Sequence, residues 1–520
     1  MSQALITALQ NPALFPHPVR EFQLIETHIS WVLLTGDYAY KIKKPMNFGF
    51  LDFTELSQRA HFCAEELRLN QRLTEGLYLE VLPICGSAEA PQLGGEGEPI
   101  EYVLKMRQFP QEQMLSTLQA NGELTAAHID QMARQIAEFH LNAPKVAVEH
   151  PLGTPDSVMM PVEQNFEQIR PFLSDKADLL QLDALQAWAQ DSFKRLHGLL
   201  EARKAEGFIR ECHGDIHLGN ATLIDGKVVI FDCIEFNEPF RLTDVYADAA
   251  FLAMDLEDRG LKSLSRRFIS QYLELTGDYA GLELLNFYKA YRALVRAKVA
   301  LFSMPTGADA VARATTLRTY RNYANLAESY SAIPSRFLAI THGVSAVGKS
   351  HVAMRLVDAL GAIRLRSDVE RKRMYGEQAS DSAGQLKAGI YSEDASHATY
   401  QRLHQLAETV LRAGFPVVID ATYLKQDQRR AAAHVASETG VPFLIIDCNA
   451  PQAVIASWLA QRQADNDDPS DATLEVVQTQ QASRDPLSAE ELLQSKRVET
   501  NESGSLDLLV EQIRQRLPGL

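Results

Sequence analysis

Gly343-Val344-Ser345-Ala346-Val347-Gly348-Lys349-Ser350 fixes four identities in eight positions as G-x-x-x-x-G-K-[ST], and few short stretches limit a fold so tightly. The flanks agree with it. Residues 337–340 (FLAI) read as a buried strand leading in, and residues 351–360 (HVAMRLVDAL) read as an amphipathic helix leading out. A strand, loop and helix in that order turn consecutive backbone N–H groups and a helix N-terminus toward one anion. The ligand that suits such a loop is a nucleoside triphosphate. Lys349 would reach its β- and γ-phosphates, and Ser350 would ligate Mg²⁺. No N-K-x-D string follows to select guanine, so ATP is the expected nucleotide.

The residues after the loop alternate as a parallel sheet requires, with short strands expected at 362–365, 416–420 (PVVID) and 442–447 (PFLIID). Helical stretches up to residue 413 and at 426–439 and 451–461 separate them. Ligands of a parallel sheet lie at the carboxyl ends of its strands, and the loop, Ser367-Asp368 and Asp420 all fall at such ends. Asp368 is placed to take a proton from an acceptor hydroxyl. Arg371 and Lys372 beside it suit an anionic acceptor or plain surface. Asp420 suits either a carboxylate orienting Mg²⁺ or a helix N-cap. Arg462, with Arg429 as a second candidate, lies near a charged turn at 462–472 that reads as a lid, from which an Arg would stabilise charge on the transferred phosphoryl group.

A second constellation lies earlier. His213-Gly214-Asp215-Ile216-His217-Leu218-Gly219-Asn220 places an Asn five residues after an Asp, and Asp232 follows at the end of the apolar run 227–231 (KVVIF). Phosphoryl transfer in a kinase fold uses one Asp to accept the hydroxyl proton, and an Asn and a second Asp to hold Mg²⁺. Upstream, residues 38–44 (YAYKIKK) alternate so that Lys41 and Lys43 share one face of a strand. Glu65 and Glu66 lie on a helix expected at 55–73. A strand Lys paired with a helix Glu holds the α- and β-phosphates in such a fold.

Composition sets outer limits. A chain of 520 residues exceeds one ordinary core. A break near Ile333-Pro334-Ser335, after a helical region expected at 284–330, gives domains at 1–332 and 335–520. The formal charge of −16 makes nucleic acid an unlikely partner, since neutralising phosphates takes clustered Lys and Arg. Five scattered cysteines (63, 85, 212, 233 and 448), no leader pattern and no apolar run of membrane length point to a reducing, cytoplasmic setting.

HGDIHLGN followed by IFDCIEF resembles the catalytic and metal-binding segments of the aminoglycoside phosphotransferase-like (protein-kinase-like) family. YKIKKPMNFGFLDFTELSQR followed by EELRLNQRL resembles the N-lobe of its bacterial two-domain branch, in which such a domain is fused to a P-loop kinase. The resemblance runs over nearly the whole chain. It implies an α+β protein-kinase-like domain with a β-rich N-lobe and helical C-lobe, then an α/β P-loop kinase domain with a parallel sheet. It also implies Asp215 as catalytic base, Asn220 and Asp232 as metal ligands, Lys41 or Lys43 with Glu66 as the phosphate-positioning pair, and Phe109 near an adenine hinge. The C-terminal segments are similar to a P-loop kinase group that includes gluconate kinase, chloramphenicol phosphotransferase, zeta-type toxins and the 5′-kinase of polynucleotide kinase.

Two features depart from the pattern. Glu26-Thr27-His28-Ile29-Ser30 stands where a Gly-rich loop would precede Lys41, and the metal Asp sits in Asp-Cys-Ile rather than Asp-Phe-Gly. The expected activity is ATP- and Mg²⁺-dependent phosphoryl transfer to hydroxyl groups of small metabolites at two sites. The alternatives are one catalytic domain regulated by the other, a nucleic-acid end kinase, or a scaffold that binds ATP only for structure. No local motif encodes the acceptor of either domain or the oligomeric state.

Overall fold

The computed structural model describes residues 3–47, 49, 51–305, 307–332, 335–375, 392–465 and 473–517, with side chains to residue 461 in the segment that ends at 465. Two compact units emerge: Met1–Leu256 with Tyr291–Ala324, and Glu257–Ala290 with Asn325–Leu520. The second unit thus takes a helical segment from before the expected break, and residues 333–334 of that break lie outside the described residues.

The first unit opens with an antiparallel six-stranded sheet in the order β1-β2-β3-β6-β4-β5. Its strands are β1 (Gln23–Glu26), β2 (Ser30–Leu34), β3 (Tyr38–Lys43), β4 (Tyr78–Gly86), β5 (Pro91–Leu93) and β6 (Glu101–Arg107). The two-residue period of β3 decides what each face does. Tyr40 and Ile42 join Leu5, Ile6, Leu9 and Phe15 in one buried cluster. Ala39, Lys41 and Lys43 point the other way, toward Glu66 on the helix Leu56–Asn70. The rest of the unit is largely helical, apart from β7 (Ile209–Glu211) paired with β10 (Leu242–Asp244) and the hairpin β8 (Ala221–Ile224) and β9 (Lys227–Ile230).

The second unit carries a five-stranded, fully parallel sheet in the order β12-β13-β11-β14-β15. The strands are β11 (Leu338–His342), β12 (Ile363–Arg366), β13 (Val417–Asp420), β14 (Phe443–Asn449) and β15 (Ser495–Glu499). Central β11 is buried at every position, as a strand covered on both faces must be. The edge strand β15 (SKRVE) was not expected from the sequence, because only Val498 in it is buried and it carries no apolar run. The helical region expected at 284–330 is two helices, Leu285–Phe302 and Ala310–Ser329, separated by a turn holding Pro305, which has no N–H to continue a ladder. All five cysteines are buried and unpaired. Among the described residues no helix is long and apolar enough to cross a membrane.

Candidate active sites

In the first unit the site grows from three connections. The β8–β9 hairpin returns the chain beside the loop that carries Asp215, so Phe231 N–H donates to the Asn220 carbonyl (3.0 Å) and Ile234 N–H to that of His213 (3.0 Å). Asn220 Nδ2 donates to the Asp215 carboxylate (3.1 Å) and carbonyl (3.0 Å). Asp232 adopts φ = 67°, a left-handed turn uncommon for a residue with a Cβ, and its N–H donates to the Tyr78 hydroxyl (3.2 Å). That turn aims its carboxylate at β3. Lys41 Nζ then bonds Glu66 (2.7 Å) and Asp232 (2.8 Å), joining residues 191 positions apart.

The two candidate lysines separate here. Lys43 is 1% exposed and bonds Glu66 (2.6 Å) and Glu235, with Phe53 packed on its ammonium. Lys41 alone reaches Asp232. Burial works against both ammonium charges, but the carboxylates around them win and hold both lysines above the ordinary range. Burial likewise pushes Glu66 up, and the two lysines overcome it and keep it ionised. An ion cluster this enclosed tolerates no missing partner.

The Asp215 carboxylate faces His217, whose Nε2 lies 3.4 Å away. Burial raises Asp215, yet His217 outweighs it and lowers the group to about 2. His217 is raised in turn, since attraction to Asp215 exceeds the cost of burying its charge. Behind the loop, the fully buried Asp248 accepts from His213 N–H (2.7 Å), Gly214 N–H (2.8 Å) and His140 Nε2 (3.2 Å). Asp255 accepts from Leu218 N–H (3.0 Å). These two carboxylates fix the loop backbone, and neither was picked out from sequence. Their signal was there: Asp248 and Asp255 interrupt the otherwise apolar run 245–256 of the helix Val245–Asp258 (VYADAAFLAMDLED). Phe109 packs on Phe231, the residue before Asp232.

In the second unit the phosphate-binding loop joins β11 to the helix Lys349–Leu360. Its end glycines are required. A Cβ on Gly343 would meet the Cys448 carbonyl oxygen at 2.8 Å, and one on Gly348, at φ = 90°, would meet the Thr500 side chain at 2.9 Å. Lys349 Nζ folds back to the Val344 carbonyl (2.6 Å), and Ser345 N–H donates to Gln480 Oε1 (2.8 Å) on the helix Leu474–Ser483. Asp368 is the second residue of the helix Ser367–Tyr375, which follows β12 directly. Burial raises its pKa and the nearby Asp420 adds to this, against Arg371, Lys349 and Arg366. Asp368, Asp420, Arg366, Arg371 and the loop lysine therefore share one site.

Asp420 is the last residue of β13 and 5% exposed, with its Oδ2 buried and without a hydrogen-bond partner. The next helix starts at Gln426 with Lys425 at its N-cap, so Asp420 is not a helix cap. A buried carboxylate oxygen with no hydrogen bond, near Asp368 with the loop lysine also at hand, fits a magnesium site. Arg371 turns inward and Lys372 outward. Arg429 is not a lid residue: it is fully buried and bonds Glu491 (2.7 Å) and the carbonyls of Tyr423, Leu424, Asp485 and Pro486. The side chain of Arg462, and residues 466–472 of the expected lid, lie outside the described residues.

The comparisons with known proteins also find two domains, in the same order along the chain. Residues 50–285 match the model of the Phosphotransferase enzyme family, and residues 338–487 match that of an AAA domain. Uncharacterized proteins of Mycobacterium tuberculosis and Mycobacterium bovis are 30% identical over 470 residues, which is 89% of this chain and 90% of theirs. This chain belongs to that two-domain family. This chain joins a phosphotransferase-family domain to a P-loop kinase domain in that order. The first domain has a protein-kinase-like fold with an antiparallel sheet, and the second has the parallel sheet of a P-loop kinase.

Among solved structures, a choline/ethanolamine kinase family protein of Mesorhizobium loti is similar over 63% of this chain and 96% of its own (12% identity, TM-score 0.39). A gluconokinase of Sinorhizobium meliloti is similar over 35% of this chain and 98% of its own (17% identity, TM-score 0.26). Both families to which the domains belong use ATP with Mg²⁺ and carry kinase-type phosphotransferases.

The chain's first site has no glycine-rich turn between β1 and β2. The Thr27–Ser30 turn between β1 and β2 is closed by its own hydrogen bonds: Ser30 N–H donates to Thr27 Oγ1 (2.9 Å) and Thr27 N–H to the Ser30 carbonyl (2.9 Å). The turn's conformation is therefore set by a Thr side chain and not by glycine.

Proposed function

We propose that this protein transfers the γ-phosphoryl group of ATP to hydroxyl groups of small metabolites at two sites, one in residues 1–332 and one in residues 335–520. The observation that carries the reading is the Lys41 ammonium bonded at once to Glu66 and Asp232, with Asn220 on Asp215 beside them. In the first site Lys41 would position the α- and β-phosphates, and Asn220 and Asp232 would hold Mg²⁺. Asp215 would accept the acceptor's hydroxyl proton as its oxygen bonds to the γ-phosphorus and the bond to the ADP oxygen breaks. In the second site the Gly343–Ser350 loop and Lys349 would cradle the phosphates, Ser350 and Asp420 would hold Mg²⁺, and Asp368 would take the proton. Bound Mg²⁺ supplies charge neutralisation of the triphosphate.

A regulatory role for the first domain is the second reading, supported by the self-closed Thr27–Ser30 turn in place of a Gly-rich loop. Labelled ATP incubated with a metabolite extract tests both. Full-length protein, Asp215→Asn and Asp368→Asn should each label a different set of acceptors. If Asp215→Asn labelled everything that the parent labels, the first domain would be a regulator. If none of the three labelled any acceptor, phosphoryl transfer to small metabolites would be wrong.

A further inference from the structure

The segment Glu257–Ala290 folds with the second unit, although nearly all of it lies within the match to the Phosphotransferase enzyme family, which ends at residue 285. Its helix Lys262–Thr276 is held by polar contacts to the helix Lys349–Leu360 and to β12. Arg266 donates to the Ala359 carbonyl (2.8 Å), and the Ser270 hydroxyl accepts from Arg364 N–H (3.1 Å). At the helix's end Glu274 bonds two arginines of β12. Arg364 donates to one carboxylate oxygen (2.7 and 3.2 Å), and Arg366 to the other (3.2 Å). All three side chains are between 10% and 14% exposed.

Arg366 is also the strand neighbour of Asp420, and its Nε stops 3.7 Å from Asp420 Oδ2. That distance is outside hydrogen-bond range, and the oxygen has no other partner. A guanidinium between two carboxylates divides its donors between them. Bonded to Glu274 it stays at ion-pair distance from Asp420 without hydrogen-bonding it; released from Glu274 it would close the short gap and hydrogen-bond the buried carboxylate. A carboxylate engaged by an arginine is a poorer ligand for a divalent cation.

We propose that Glu274 is a positioning residue for the P-loop site: by holding Arg366, it keeps the Asp420 carboxylate available to Mg²⁺. It follows that the second site depends on a residue carried by the phosphotransferase-family segment. The inference rests on the reading of Asp420 given above. It names a dependence that the P-loop match, which begins at residue 338, does not contain.

The test uses full-length protein in which Lys41→Met and Asp232→Ala silence the first site. ATP affinity is measured by calorimetry across a magnesium titration, with the melting temperature as a check that the fold is intact. Glu274→Gln should raise the magnesium concentration needed for half-maximal enhancement of ATP binding about five- to tenfold, the range of a modest coupling between neighbouring groups. Glu274→Gln with Arg366→Gln removes the competing cation and should return the response to within about twofold of the parent. Structural damage would not be repaired by a second substitution, so the rescue distinguishes positioning from support. A parent that responds to magnesium while Glu274→Gln responds identically would overturn the proposal alone, as would failure of the double variant to recover. A parent with no magnesium response would overturn both the proposal and the reading of Asp420.

Discussion

Asp215 in the first unit and Asp368 in the second face the same proposed task from opposite electrostatic surroundings. Both lose water, which by itself raises a carboxyl pKa. Around Asp215 that effect is overturned by His217 at 3.4 Å, with help from His213 and Arg292, and the group falls to about 2. Around Asp368 burial prevails, Asp420 adds to it, and Arg371, Lys349 and Arg366 offset only part, so the group rises. The first carboxylate stays ionised in acid but is a weak proton acceptor. The second accepts more readily and is lost sooner as pH falls. The two proposed bases thus sit in contrasting surroundings, and each can be broken separately.

The largest effects should come from removing the proton acceptors. Asp215→Asn and Asp368→Asn keep size and most hydrogen bonding, and each should lower transfer at its own site about 10²–10⁴-fold. ATP affinity, set by Lys41 or Lys349 and the metal ligands, should barely change. Steady-state transfer beside nucleotide calorimetry checks this. Loss of ATP binding in Asp368→Asn would make Asp368 a metal or nucleotide ligand and end the parallel with Asp215.

A stability experiment separates the two lysines of β3. Lys43→Met leaves Glu66 and Glu235 buried with one cation fewer, and breaking so enclosed a cluster costs about 3–5 kcal/mol. Lys41 borders the more open Asp232, whose side chain is 41% exposed, so Lys41→Met should weaken nucleotide binding with a smaller loss of stability. Urea unfolding of both variants measures the difference. Equal losses would mean that the five-residue cluster of Lys41, Lys43, Glu66, Asp232 and Glu235 acts as one structural unit.

The contrast in surroundings also predicts pH behaviour. On acidification, kcat/KM for transfer at the second site should fall at a higher pH than at the first, because Asp368 is raised and Asp215 lowered. Stability follows with opposite signs. Asp215 contributes stability above its unfolded pKa of about 3.9, and this is lost as pH falls through about 2. Asp368, raised in the fold, costs stability when ionised, so the second unit gains from acidification between its raised value and the unfolded one. His217, raised by Asp215, contributes stability below its unfolded pKa that is lost as pH climbs through the raised value. Coincident acid limbs at the two sites would show that surroundings do not divide the two bases.

Much of this arrangement was legible in the chain because local chemistry encoded it. The eight-residue loop and the HGD string are each recognisable from their immediate neighbours, while Asp420 at its strand end suited two readings until the next helix was seen to start at Gln426. Gly343 and Gly348 are needed for backbone reasons that hold in any protein. What stayed hidden depends on residues far apart in sequence. Whether Lys41 or Lys43 meets Asp232 turns on a left-handed residue 191 positions away. Arg429, which reads as a lid arginine from its position, is a buried tie for residues 485–491 because Glu491 arrives beside it. The edge strand β15 has one buried residue and so no periodic signal. The seating of Glu274 on β12 belongs to no motif at all.

The smallest expected effect tests how each site covers its phosphates. In the first, the Thr27–Ser30 turn is closed on itself; in the second, Gln480 occupies a donor of the loop, accepting from Ser345 N–H at 2.8 Å and donating to Ser345 Oγ at 3.1 Å. Ser345 is only half-buried, so water can take over when the carboxamide is removed, and each such bond is worth about 0.5–1.5 kcal/mol net at most. A phosphate oxygen that uses the same N–H must displace Gln480 first. Gln480→Ala removes that competition and should raise ATP affinity at the second site about two- to fivefold. ADP affinity should move less if the displaced contact lies toward the γ-phosphate, so the ATP-to-ADP ratio is the quantity to measure. Binding at the first site should not change. A fall in ATP affinity of the same size would mean that Gln480 braces the loop in its binding shape, and the second site would then resemble the first in carrying a cover held by side-chain hydrogen bonds.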